Sequence, residues 1–181
     1  MNEKAVEVED WRLRVFDSLS FPTLILRPDK FIVTANQKLL DRFSVSMKDI
    51  LGKTCHEIFY NSKEPCSADL CPLPGVLANG EGHSILRQVT DISGETIWED
   101  RVFSPIHDDN GNIIYIMESL RDVTRVKTLE RTLEETREFL EKVIQSSASG
   151  ILAADMDGNI LIMNRAAEAL FGFSVSEMKG K

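Results

Sequence analysis

The sequence predicts an α+β fold: a five-stranded antiparallel sheet with short helices on one face, an amphipathic helix before it and a coiled-coil helix after it. Three observations carry that prediction. The hydrophobic period switches from helical to alternating and back along the chain, turn residues fall at the switches, and part of the pattern recurs later without a gap.

The first element is helical. Val8, Trp11, Val15, Phe16 and Leu19 fall at helical spacing in an otherwise charged segment, so residues 1–19 form an amphipathic helix whose apolar edge seeks the main domain or a second copy. Two strands follow, carried by Leu24-Ile25-Leu26 and Phe31-Ile32-Val33, with the turn chemistry of Arg27-Pro28-Asp29-Lys30 between them. Leu39, Leu40 and Phe43 then share a short helical face. Ser46 stands four residues before Ile50 as the cap of the next short helix, which ends near Gly52. Strand character returns at Ser84 to Ile92, Thr96 to Pro105 and Asn112 to Arg121, joined by Ser93-Gly94 and by the polar turn Asp108-Asp109-Asn110-Gly111. Apolar residues on both faces of the last strand require a cover on the back of the sheet, for which the N-terminal helix is the candidate. Phe21, Leu24, Phe43, Phe59, Trp98 and Phe103 are the expected aromatic and aliphatic core.

Residues 125–146 read as a signalling helix. Val126, Leu129, Leu133, Thr136, Leu140 and Val143 alternate spacings of three and four, the period of a coiled-coil seam, although Thr136 weakens it. Arg131/Glu135 and Glu138/Lys142 stand four apart, where they pair on the helix surface. The competing reading is a solvated connector packed on its own domain. Beyond it the chain repeats itself: a shift of 128 residues places Val15 on Val143, Asp29 on Asp157, Asn36 on Asn164, Phe43 on Phe171, Ser46 on Ser174, Gly52 on Gly180 and Lys53 on Lys181. Residues 147–181 therefore copy the first two strands and first helices of the domain at 20–124. Because the copy stops before its three long strands, the sequence is expected to be a fragment of a longer protein.

A net charge of −8 and a pI near 5.0 leave no basic surface for nucleic acid or an anionic membrane. No apolar run approaches the roughly 18 residues of a membrane span, and the acidic start lacks the character of a signal peptide. The expected location is the cytoplasm, where three cysteines are thiols or metal ligands rather than a disulfide framework.

The order helix, two strands, short helices and three strands resembles a PAS sensor domain. The features that carry the resemblance are Leu24-Ile25-Leu26 before the Asp29 turn, Thr34-Ala35-Asn36-Gln37, Leu51-Gly52-Lys53, Asp108 to Asn112 and the closing Arg121-Asp122-Val123-Thr124. The resemblance runs from Asp17 to Thr124 and resumes from Ser146. It implies that Asp122 and Thr124 couple the last strand to the outgoing helix; as residues near a helix start, they also suit a plain capping role. It further implies the sensory and dimerisation module of a bacterial histidine kinase, diguanylate cyclase or enhancer-binding regulator, sensing a ligand, metal or redox state. The expected partners are a second copy through residues 1–19 and 125–146, a downstream output domain and a small-molecule ligand. No phospho-acceptor helix or nucleotide loop is present in the sequence, so no enzyme is expected. The alternative is a protein–protein interaction module with structural cysteines and no ligand.

Chemistry concentrates in one stretch. Cys55, Cys66 and Cys71, with His56, fall within seventeen positions and would supply a Cys₃His set for zinc, or thiolates for an iron–sulfur cluster. The adjacency of Cys55 and His56 and the wide Cys66–Cys71 gap fit that geometry poorly. Redox-active thiols and buried structural cysteines remain open alternatives. The stretch is similar to a cysteine-bearing PAS variant with Gly-Lys-x-Cys, Pro-Cys and Cys-Pro elements. Cys55, in Thr-Cys-His, does not match the Asn-Cys-Arg motif of a flavin-binding PAS domain, and only His56 offers a haem ligand. His107 beside its turn is expected to be solvated, and His83 is a remote fourth ligand.

Overall fold

The computed structural model describes residues 3–67, 71–91 and 93–174, the first eight of them as backbone alone. The chain divides into two compact units, Met1–Arg125 and Val126–Lys181. In the first, α1 (Glu3–Ser18) leads into β1 (Thr23–Leu26) and β2 (Ile32–Ala35). Four short helices follow: α2 (Gln37–Phe43), α3 (Met47–Ile50), α4 (Cys55–Tyr60) and α5 (Leu73–Asn79). The long strands β3 (His83–Thr90), β4 (Thr96–His107) and β5 (Ile113–Asp122) complete an antiparallel sheet of order β2-β1-β5-β4-β3.

That order places the first strand beside the last. Thr23 pairs with Ser119 and Leu26 with Ile116, so the sheet joins the two ends of the domain and its centre is the β1–β5 ladder. Leu24, Leu26, Leu39, Ile50, Ile116 and Leu120 are fully buried there, and Leu73 and Val76 of α5 close over them. Burying a side chain of this kind is worth roughly 1.5–3 kcal/mol, which makes this apolar layer the main source of stability.

The turns are fixed by local chemistry. Asp108 accepts hydrogen bonds from the N–H groups of Asn110 (2.9 Å) and Asn112 (2.8 Å), and Gly111 adopts φ 83°, a left-handed conformation that glycine takes without strain. Asn36 is buried and ties β1 to α2: its Oδ1 accepts from Thr23 N (2.9 Å) and Leu39 N (3.1 Å), and its Nδ2 donates to Phe21 O (2.9 Å).

Helix α6 (Thr124–Ser146) begins at the end of the first unit, and the second unit adds β6 (Leu152–Ala154), β7 (Ile160–Met163) and α7 (Arg165–Phe171). Leu152 pairs with Met163 and Ala154 with Ile160, as Leu24 pairs with Ala35 and Leu26 with Ile32, with a bulge at the matching place in each ladder. Asn164 stands where Asn36 does. Its Oδ1 accepts from Ile151 N (2.8 Å) and Ala167 N (3.0 Å). The proposed counterparts Gly180 and Lys181 lie outside the described residues.

Two expected core residues are placed differently. Trp98 is half-exposed, because along β4 the buried residues are Ile97, Glu99, Arg101 and Phe103, and an even-numbered position faces the other side. Phe21 precedes β1 and is 43% exposed, with the Arg121 guanidinium 5.3 Å from its ring centre. Trp11 and Val15 of α1 are also exposed.

Candidate functional site

The inner face of β3, β4 and β5 is charged where an apolar layer would be the simple solution. Glu99, Arg101 and Glu118 share the strand parity of Phe103, Ile116 and Leu120, and all three are buried. Arg101 pairs with Glu99 through Nε and reaches Glu118 Oε1 at 3.4 Å, while Arg42 of α2 pairs with the second oxygen of Glu99. The Arg101 guanidinium lies 4.3 Å from the ring centre of Phe59, and Arg87, opposite Glu99 in the β3–β4 ladder, lies 5.3 Å from that of Tyr60. Buried charges are tolerated when paired and hydrogen-bonded, and here two atoms are left over: Glu118 Oε2 and Arg87 Nε are buried without a hydrogen-bond partner. Burial pushes the Glu118 carboxyl up to about 7, against the pull of Arg101 and Arg87.

Two hollows open off this cluster. A cleft of about 430 Å³ lies between α2, α4 and the β3–β4 edge, walled by Phe43, Phe59 and Tyr60 with Arg42, Arg87 and Arg101. That is the size of a small-molecule site. Asp91 stands at the cleft too, its Oδ1 held by Ser93 N (2.7 Å) and Glu95 N (3.3 Å). The second hollow is a void of about 20 Å³ lined by Cys55, Cys66, Cys71, Arg87, Arg101 and Glu118, among others.

Local structure explains how the thiols arrive there. Thr54 caps α4, with Glu57 Oε2 accepting from Thr54 N (2.8 Å) and from Thr54 Oγ1 (2.7 Å), so Cys55 begins the helix with its thiol inward. Burial pushes that thiol up to about 12, and the neighbouring Glu118, Cys71 and Cys66 push the same way. Cys71 N donates to Ser67 O at 3.1 Å, and Cys66 and Cys71 are both half-buried.

The sequence-predicted ligands are thus only partly united. The three cysteines share the void, but the His56 ring is held by its own neighbour, Nε2 lying 3.0 Å from Thr54 Oγ1. Among the described residues no group of three or more His, Cys, Asp and Glu is arranged to hold a metal ion. The Cys₃His set is therefore not assembled among the described residues. The adjacency of Cys55 and His56 is the reason, since successive residues at a helix start leave in different directions. His83 and His107 are both exposed. The charged layer was missed by sequence reasoning, although its signal was present: Glu99, Arg101 and Glu118 keep the alternation of buried positions.

The third part of the site is its exit. Trp98 N donates to Thr124 Oγ1 (2.9 Å), Val123 N to Trp98 O (2.9 Å), and Thr124 N to Asp122 Oδ1 (2.9 Å). Asp122 and Thr124 thereby fasten the start of α6 to β4, one residue from Glu99.

A PAS-fold family model matches residues 16–128, and a second PAS-fold model matches residues 138–181. The chain belongs to the PAS family. A blue-light-activated histidine kinase of Rhizobium johnstonii is 25% identical over 82% of this chain and 42% of its own. A biofilm dispersion protein of Pseudomonas aeruginosa is 23% identical over 83% of this chain and 35% of its own. The chain therefore spans less than half the length of these relatives. The solved structure of an RNA-binding light-oxygen-voltage receptor superimposes with a TM-score of 0.60, at 18% identity, over 76% of this chain and 39% of that one, a similarity of fold. No helix among the described residues is long and apolar enough to cross a membrane.

Proposed function

We propose that this chain is the sensory module of a bacterial signal-transduction protein, in which a change at the charged inner face of the first PAS domain is passed to α6 and from there to a downstream output domain. The observation that carries the reading is the fastening of Thr124 to Trp98, on the strand that also holds Glu99 and Arg101. A displacement of β4 by a ligand in the 430 Å³ cleft, or by chemistry at the thiols, is then felt at the first turn of α6. Asp122 and Thr124 are the transmitting residues. A ligand moves such an equilibrium only through its different affinity for the two states, so the coupling itself is the quantity to measure.

The test is a double-mutant cycle of Glu99→Gln and Thr124→Val, read by amide hydrogen exchange across residues 124–131. Glu99→Gln alone is expected to speed exchange in that turn, and in the Thr124→Val background its effect disappears. Additive effects at both sites would sink the transmission reading.

A second reading, a dimerisation and interaction module with structural cysteines, is favoured by the exposed apolar stripe of α6. On that reading Cys66→Ser and Cys71→Ser change stability alone.

A further inference from the structure

Every charged side chain of the cleft between α2, α4 and the β3–β4 edge is answered within the fold except one. Arg42 pairs with Glu99, and Arg101 with Glu99 and Glu118, so these cations and carboxylates balance. Asp91 accepts from Ser93 N, Ser93 Oγ and Glu95 N. Arg87 is the exception. Its side chain makes no ion pair or hydrogen bond among the described residues, its Nε is buried, and its guanidinium lies 5.3 Å from the ring centre of Tyr60. A guanidinium presents its N–H donors as a planar fork that matches both oxygens of a carboxylate. Leaving buried donors unanswered costs free energy that an anionic ligand recovers.

The other walls fix what else the ligand carries. The rings of Phe43 and Phe59 stand 5.2 Å apart with their planes tilted by 56°, and with Tyr60 they face the cleft, where a further ring finds offset or edge-to-face partners. Only a single negative charge suits the site. Glu99 and Asp91 on the same walls repel a second one, and no other uncommitted cation lines the cleft among the described residues. A phosphate monoester, with a charge approaching about −2 at pH 7, is turned away on the same ground. The volume of about 430 Å³ lies in the range of small-molecule sites and takes a ligand of one or two rings.

We propose that this cleft binds a small aromatic monocarboxylate, its carboxylate on the Arg87 guanidinium and its ring against Phe43, Phe59 and Tyr60; this rests on the sensory reading and names the chemical class of its stimulus. The position suits transmission. In the β3–β4 ladder Arg87 stands opposite Glu99 and Gln88 opposite Trp98, so a ligand held by Arg87 bears on the part of β4 that is fastened to Thr124.

The experiment titrates the whole 181-residue chain by calorimetry with benzoate, phenylacetate and 2-naphthoate, each beside its uncharged primary amide, and with acetate as the anion that lacks a ring. At least one aromatic acid is expected to bind at one site per chain. Its amide should bind roughly tenfold or more weakly, the loss of a hydrogen bond between charged groups, and acetate weaker by at least as much. Arg87→Met should abolish the preference for acid over amide and leave the amide's own affinity unchanged. In the wild type the Arg87 Nε–Hε resonance should move with the acid and not with the amide, a readout that needs no variant. No binding by any of the three acids, an amide or acetate as tight as the acid, or a preference that survives Arg87→Met overturns the inference. Hydrogen exchange at residues 124–131 separates it from the sensory reading. Binding that leaves that exchange unaltered keeps the ligand site and removes its transmission, whereas absent binding beside a coupled Glu99→Gln, Thr124→Val cycle keeps transmission and removes the ligand class.

Discussion

Two kinds of ion pair in this chain differ in what they are worth. Arg131 and Glu135 on α6 are both largely exposed at 2.8 Å, so water screens them and Arg131→Ala should cost no more than about 0.5 kcal/mol. Arg101 is buried between two buried carboxylates, and removing it leaves Glu118 without its hydrogen-bonded cation and Glu99 with Arg42 alone. Arg101→Met is therefore expected to cost about 3–5 kcal/mol in a denaturant titration. Glu118 adds a pH dependence whose sign is opposite to that of an ordinary salt-bridged carboxylate. Its folded-state value of about 7 lies above the 4.5 of the unfolded chain, so the folded protein holds the extra proton between them. Its contribution is present in full below 4.5 and is lost as pH rises through 7. Over that window the wild type should lose stability relative to Glu118→Gln, by on the order of 3 kcal/mol, with the two melting curves compared at pH 5 and pH 8. Parallel curves at both pH values would show that Glu118 stays ionised.

At the scale of elements, the β1–α2 junction depends on one side chain. Asn36 supplies three hydrogen bonds to the backbone from a position with no solvent exposure, and alanine would take the Oδ1 acceptor from buried Thr23 N, while Phe21 O would keep only Thr23 Oγ1 of its two donors. Asn36→Ala should cost about 2–4 kcal/mol and speed amide exchange at Thr23 and Leu39 before the rest of the sheet. That junction was readable in advance, because strand, asparagine and short helix recur 128 residues later and chance does not preserve such a register. The long strands were readable for a similar reason: alternation and the Asp108–Gly111 turn locate them within one or two residues of β3, β4 and β5. What escaped was the helix at Leu73–Asn79, which has a proline at its N-cap and a proline and a glycine in its first turn, and draws its stability from burying Leu73 and Val76 rather than from propensity. Side-chain direction at the start of α4 escaped as well. Cys55 and His56 are adjacent in sequence, and only the capping of Thr54 by Glu57 decides that one faces the void while the other bonds to Thr54.

For the molecule as a whole, the open question of function is what the 23 residues of α6 meet. None of them is buried, and Val126, Leu129, Leu133 and Leu140 are all more than half exposed. Some of the stripe is used within the second unit, to which α6 belongs from Val126 on: Leu133, Thr136 and Leu140 line a groove with Leu161, Ile162 and Met163. Leu129 and Val143 do not line that groove, so substituting them tests association without disturbing the fold. A seam with spacings of three and four suits a parallel pair of helices, in which each copy covers the other's stripe. About three heptads are near the minimum for such a pair, so the dimer should be in concentration-dependent equilibrium with the monomer. Sedimentation equilibrium of the 181-residue chain is expected to show that equilibrium, and the double substitution Leu129→Glu, Val143→Glu to shift it to monomer, since like charges would face each other across the seam. Arg131→Ala, on the outward side of the same helix, should leave it unchanged. If the wild type is monomeric at all concentrations, or the glutamates leave its association intact, α6 does not pair through this stripe and any signal it carries must pass along a single helix.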